Sequence, residues 1–112
     1  MITRILIIIF SQAFIGYFMV PKTFADEIDA QALFKKHCVI CHGEDGTGKT
    51  DLGSGLGARD FTDKKFQDSI TDEKILEQIV NGTPEKMFPF KDKLTPEERK
   101  ALVPVIRAFG GK

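Results

Sequence analysis

Cys38-Val39-Ile40-Cys41-His42 is the stretch that most constrains this 112-residue chain. Two thiols three positions apart can add to the two vinyl groups of one porphyrin. The histidine that follows is held where its imidazole reaches the iron from the same side. This C-x-x-C-H run is the attachment signature of c-type haem, and both cysteines of the chain lie within it. A domain built around it must fold as a shell for a large apolar group tethered at one corner.

Other uses of the two cysteines fit less well. A structural zinc site needs about four ligands, usually from two such pairs. The only other histidine, His37, is too close in sequence to complete a separate knuckle. A thioredoxin-like pair needs a preceding strand in a βαβ setting, whereas the residues before Cys38 read as a helix. A disulfide across two intervening residues would be strained.

Ile5 to Val20 is almost wholly apolar, Arg4 is the only charge before Lys22, and Thr23-Phe24-Ala25 offers small residues at a cleavage position. This predicts a secretory signal peptide over residues 1–25 and a single mature domain over 26–112. The competing reading is a retained membrane anchor, for which 16 residues are short against a span of roughly 20. Export also suits cysteines that attachment chemistry consumes before they pair oxidatively. Without residues 1–25 the 16 Lys and Arg lose Arg4 and Lys22. Against 16 Asp and Glu the formal charge is then −2, which excludes a strongly basic nucleic-acid surface. So small a domain buries a modest core and often needs a staple; covalent haem would be one.

The mature chain reads as all-α. Ala30, Leu33, Phe34 and His37 recur at helical spacing over 27–37, with Asp26, Glu27 and Asp29 in or near the first turn. Six glycines between Gly43 and Gly57 predict a loop over 43–60, and Phe61 and Phe66 begin a short turn or helix. Thr71 reads as an N-cap before Asp72 and Glu73, with Ile75, Leu76, Ile79 and Val80 as the inner face and Asn81-Gly82 as the stop. After a loop over 83–94, Thr95-Pro96-Glu97-Glu98 gives a capping box for a last helix whose stripe is Leu102, Val105, Ile106 and Phe109. Pro104 inside that helix predicts a kink.

Gly43-Glu44-Asp45-Gly46-Thr47-Gly48-Lys49-Thr50 matches a phosphate loop in letters. Such a loop works between a buried strand and a helix, and neither the preceding helix nor the chain length allows that, so no nucleotide is expected. Gly53-Ser54-Gly55-Leu56-Gly57-Ala58 echoes a dinucleotide fingerprint and fails on the same missing strand.

His42 serves one face of an iron. For the other, Met87 stands 45 residues on, in a loop beside stiff, apolar Phe88-Pro89-Phe90. Its thioether is a soft ligand that stabilises ferrous iron; its competing role is core packing. His37 is one residue before Cys38, on the wrong side of the attachment, and reads as a polar residue near a helix end.

On these residues the chain resembles a class I cytochrome c over nearly all of 27–112. The likeness rests on the helix ending in Cys38–Gly43, Gly-rich Glu44–Gly57, Arg59-Asp60-Phe61-Thr62, the helix Thr71–Gly82, Met87–Phe90 and the terminal helix. It implies a helical bundle around one covalently attached haem, its first and last helices crossing so that Ala30 and Phe34 meet Val105, Ile106 and Phe109. It implies outer-sphere electron transfer between redox proteins by an exported, periplasmic-type monomer, with no substrate chemistry. Leu33, Phe34, Phe61, Phe66, Phe88 and Pro89 would then pack against haem, Arg59 would pair with a propionate, and Lys86, Lys91 and Lys93 would steer an acidic partner. Two departures stand out: no proline lies between Cys41 and Pro84 to position His42 by its carbonyl, and Phe88 intervenes between Met87 and Pro89. The rival readings are a gas- or peroxide-responsive haem protein or enzyme subunit with a labile Met87, and a non-haem module using the cysteines as a disulfide.

Overall fold

The computed structural model describes residues 27–111 and the single residue Gly16. Apart from Gly16, the predicted signal segment over 1–25 lies outside the described residues, as do Asp26 and Lys112. Six α-helices occur among the described residues: α1 Ala30–His37, α2 Val39–His42, α3 Asp51–Leu56, α4 Lys64–Ser69, α5 Asp72–Asn81 and α6 Pro96–Ala108. A 3-10 turn, Phe109–Gly111, closes the chain. Among the described residues the only β-type pairing is an isolated antiparallel bridge between Thr83 and Met87.

Local chemistry accounts for most boundaries. α1 starts at Ala30, not at residue 27, because the Asp29 carboxylate accepts from the Ala32 amide and acts as N-cap. Thr71 caps α5 through the Lys74 amide, and Gly82 ends it at φ +62°. Thr95 and Glu98 form the reciprocal box expected for α6, with Pro96 in its first turn. α6 runs unbroken from 96 to 108, and both Pro104 and Lys100, the residue whose carbonyl the ring denies an amide partner, are exposed.

α1 and α6 pack directly on each other, and α6 also packs on α5. Their shared core contains Phe34, Ile75, Ile79, Leu102, Val105, Ile106 and Phe109, all buried. Burying each such side chain contributes about 1.5–3 kcal/mol. Phe34 lies 5.3 Å from Phe109 and 6.4 Å from Phe61, ring centre to ring centre, so the crossing is an aromatic cluster. Arg107 locks the far side. It donates to the carbonyls of Gln67 and Ile70 and to the Asp72 carboxylate, tying α6 to the junction of α4 and α5.

The glycine-rich segment departs from expectation: the loop predicted over 43–60 contains α3. Thr50 caps it by accepting from the Gly53 amide, Asp51 sits in the first turn, and Gly57 ends it in the left-handed region at φ +72°. Its glycines serve close packing. A Cβ at Gly53 would collide with the Cys41 carbonyl, and one at Gly46 would come within 2.7 Å of the Phe109 ring.

Candidate functional site

Cys38 is the joint of the site. Its amide donates to the Phe34 carbonyl in the last turn of α1, and its own carbonyl accepts from the amide of His42, the last residue of α2. α2 is a single turn, too short to satisfy its carbonyls internally. Each finds a partner in the following loop. The Val39 carbonyl accepts from the Gly43 amide and the His42 carbonyl from the Gly48 amide. The Thr50 hydroxyl lies 2.8 Å from the Ile40 carbonyl and 3.0 Å from that of Cys41. The loop therefore fixes the turn that carries Cys38, Cys41 and His42. Other loop amides are engaged within the loop itself: the Thr47 amide donates to Asp45 and the Lys49 amide to the Thr47 hydroxyl. The phosphate-loop lettering thus describes a bracket for α2.

Cys38 and Cys41 are free thiols, both half-buried. Burial pushes the Cys38 thiol up to about 11, with Cys41 beside it adding to the rise. The His42 imidazole is held on two sides. Its Nδ1 donates to the Arg59 carbonyl at 3.2 Å, and its ring stacks on Phe61 with centroids 4.2 Å apart. A carbonyl can only accept, so Nδ1 carries the proton and neutral His42 keeps its lone pair on Nε2. Burial lowers the His42 pKa, and the Arg59 hydrogen bond opposes that in part. The proline carbonyl missing from the sequence is thus replaced by that of Arg59, whose side chain is exposed.

Met87 sits in a loop pinned to the end of α5. Thr83 and Met87 exchange amide–carbonyl bonds at 2.9 Å, and the Phe90 and Lys91 amides satisfy the Ile79 and Val80 carbonyls. Gly82 is required here as well as for its positive φ, since a Cβ would come within 2.8 Å of Pro89 N. The half-buried Met87 packs against the core. The cleft it lines also takes in Leu56, Asn81, Pro84, Phe88 and Pro89, and does not include Cys38, Cys41 or His42. The Met87 sulfur is 3.4 Å from Gln78 Nε2.

The remaining expected residues fall into two groups. Phe34 and Phe61 are buried, and Leu33 and Phe66 pack partly buried against the same core. Phe88 is 68% exposed, with Lys93 Nζ 5.6 Å from its ring centre. His37 is the last residue of α1, the helix-end position expected of it, and there meets the Phe90 ring edge-on at 5.7 Å. Thr50, Gln78 and the Arg59 carbonyl were missed by sequence reasoning; of these only Thr50 had a signal, a capping residue followed by Asp51.

The donor set fits a covalently attached haem: two unpaired thiols flank one helical turn, and the imidazole that follows has Nδ1 engaged and Nε2 available. Among the described residues no helix is long and apolar enough to cross a membrane.

Residues 25–104 match the family described as cytochrome c oxidase, cbb3-type, subunit III. Among curated proteins, the chain is similar to the cbb3-type cytochrome c oxidase subunit FixP of Bradyrhizobium diazoefficiens, 28% identical over 77% of this chain and 28% of that protein. The FixP subunit of Azorhizobium caulinodans is 32% identical over 70% of this chain and 26% of that protein. The chain therefore spans about a quarter of the length of these curated relatives. Among solved structures, the KustC0563 c-type cytochrome is 61% identical with a TM-score of 0.71, covering 73% of this chain and 98% of that one. A mutant of the same cytochrome is 62% identical with a TM-score of 0.70 over 73% of this chain.

Proposed function

The chain belongs to the family described as cytochrome c oxidase, cbb3-type, subunit III, and from that membership we propose a mono-haem electron carrier whose iron is held by His42 and Met87. It is a c-type cytochrome of all-α fold with covalently bound haem c, in keeping with its family and with its likeness to a solved c-type cytochrome. Bound haem supplies a one-electron ferric–ferrous couple.

The chain's own residues do the rest. Cys38 and Cys41 would hold the haem covalently, each thiol adding across a vinyl group so that a carbon–sulfur bond forms and the thiol proton goes to the neighbouring carbon. His42 offers Nε2 because Arg59 holds Nδ1. Met87 offers a soft sulfur that favours the ferrous state. Held in this way by their own backbone bonds, His42 and Met87 would rearrange little between the two oxidation states. Buried Phe34 and Phe61, with Leu33 and Phe66, keep water from the His42 side. Phe88 and Pro89 close the Met87 side, and exposed Lys86, Lys91 and Lys93 around Phe88 suit an acidic redox partner. Residues 26–112 form the working domain, a monomer exported by the segment before it and passing electrons between donor and acceptor proteins.

The observation that carries this reading is the bond from His42 Nδ1 to the Arg59 carbonyl beside two cysteines that form no disulfide. Acidic organic extraction of the exported protein tests the attachment. Haem absorbance should stay with the polypeptide, and should become extractable when both Cys38 and Cys41 are replaced by Ala. Haem that extracts from the unaltered chain would defeat the proposal.

A further inference from the structure

We propose that Gln78 tunes the reduction potential by donating a hydrogen bond from its side-chain amide to the Met87 sulfur, an inference that rests on Met87 being an axial ligand. Gln78 lies on α5, and Met87 lies on the loop that folds back along the end of that helix. The Gln78 amide nitrogen has two protons, and the structure gives each a destination. One goes to the Thr83 hydroxyl at 2.7 Å and the other to Met87 Sδ at 3.4 Å. The alternative orientation of the amide would set its oxygen lone pairs against those of sulfur, whereas the Thr83 hydroxyl tolerates either end. Thr83 is itself bonded to both backbone groups of Met87, so donor and acceptor are fixed to one frame.

A thioether sulfur has two lone pairs. The hydrogen bond engages one, leaves one for a metal, and draws electron density from the atom. A sulfur depleted in this way is a weaker donor. The loss is felt more by electron-poor ferric iron than by ferrous iron. The bond therefore favours the reduced state and raises the potential. Gln78 acts through Met87 and is a positioning residue; its effect appears at the sulfur, not in stability.

The test uses the holoprotein with Gln78→Leu, which removes the donor on an exposed helix position, and Thr83→Val, which removes the other acceptor and leaves the sulfur contact. Potentiometric titration is read beside the near-infrared methionine-to-iron band. Gln78→Leu should shift the redox equilibrium about threefold toward ferric iron, a fall of about 28 mV at 59 mV per tenfold for one electron, and should displace the band. Thr83→Val should do neither. A band present in the unaltered protein with no change on Gln78→Leu overturns the tuning role alone. Equal shifts for both variants overturn it as well, assigning the effect to the loop. Absence of the band from the unaltered protein overturns Met87 ligation and the tuning with it.

Discussion

The His42 imidazole lies on the face of the Phe61 ring, with centroids 4.2 Å apart and planes within 17° of parallel. Phe61 in turn lies 6.1 Å from Phe109 and 6.4 Å from Phe34, which belong to the crossing of the first and last helices. The imidazole thus extends the core's aromatic cluster. The same segment supplies its other restraint, the Arg59 carbonyl. Gln67 Nε2 anchors that segment by donating to the Phe61 carbonyl at 2.7 Å and the Ile106 carbonyl at 3.0 Å. Fold and site share one scaffold here.

Because Arg59 holds His42 by its backbone, Arg59→Ala should leave the bond intact. Its side chain is exposed, so stability should change by no more than about 0.5 kcal/mol and the potential should stay put. A clear fall in potential, read by redox titration, would instead assign the guanidinium to a haem propionate, since removing a positive charge near iron favours the ferric state.

Gly53 and Gly55 occupy one short helix and should respond oppositely to alanine. A Cβ at Gly53 strikes the Cys41 carbonyl and approaches that of Gly48 to 2.7 Å, whereas a Cβ at Gly55 meets nothing within 4 Å. Gly53→Ala should destabilise by about 1–3 kcal/mol as the loop is forced off α2. Gly55→Ala should stabilise by about 0.5–1 kcal/mol through lost backbone entropy in the unfolded chain. Urea unfolding of the two variants decides; equal effects would contradict the bracket role of the loop.

These glycines also show where sequence reading stops. The caps at Thr71 and Thr95 were legible because an N-cap is a local contract between a hydroxyl and an amide three residues on. The stripe over Ala30–His37 was legible because burial repeats with the helical period. α3 was hidden by its own composition. Its glycines read as breakers, yet Gly53 is small for the sake of the carbonyl of Cys41, twelve residues earlier in the chain. The thiols and imidazole could be read from their spacing. The acceptor for His42 could not, because a backbone carbonyl has no side-chain signature. Gln78 was equally silent, since its contact with Met87 exists only once the loop turns back on α5.

Pro104 costs α6 one hydrogen bond while lying on its exposed face. Pro104→Ala should therefore raise the thermal midpoint of the holoprotein. A loss of more than about 1 kcal/mol would show that the proline shapes the helix to its partners.

Asp45 accepts from both the amide and the hydroxyl of Thr47, and these bonds hold its carboxyl below the usual value. A depressed folded-state pKa stabilises fully above the unfolded value of about 3.9 and loses that contribution as pH falls through the lower folded one. Unfolding curves for the unaltered protein and Asp45→Asn should keep a constant separation above about pH 5 and converge on the acid side. A separation independent of pH would deny Asp45 this role.

The central claim, a closed iron held by His42 and Met87, is most directly tested by optical spectra of the exported holoprotein, ferric and ferrous, with and without carbon monoxide. The account predicts a low-spin ferric spectrum with the near-infrared methionine-to-iron band and a ferrous spectrum that carbon monoxide leaves unchanged. A high-spin ferric spectrum, or rapid carbon monoxide binding, would contradict it and mean an open iron suited to sensing or catalysis.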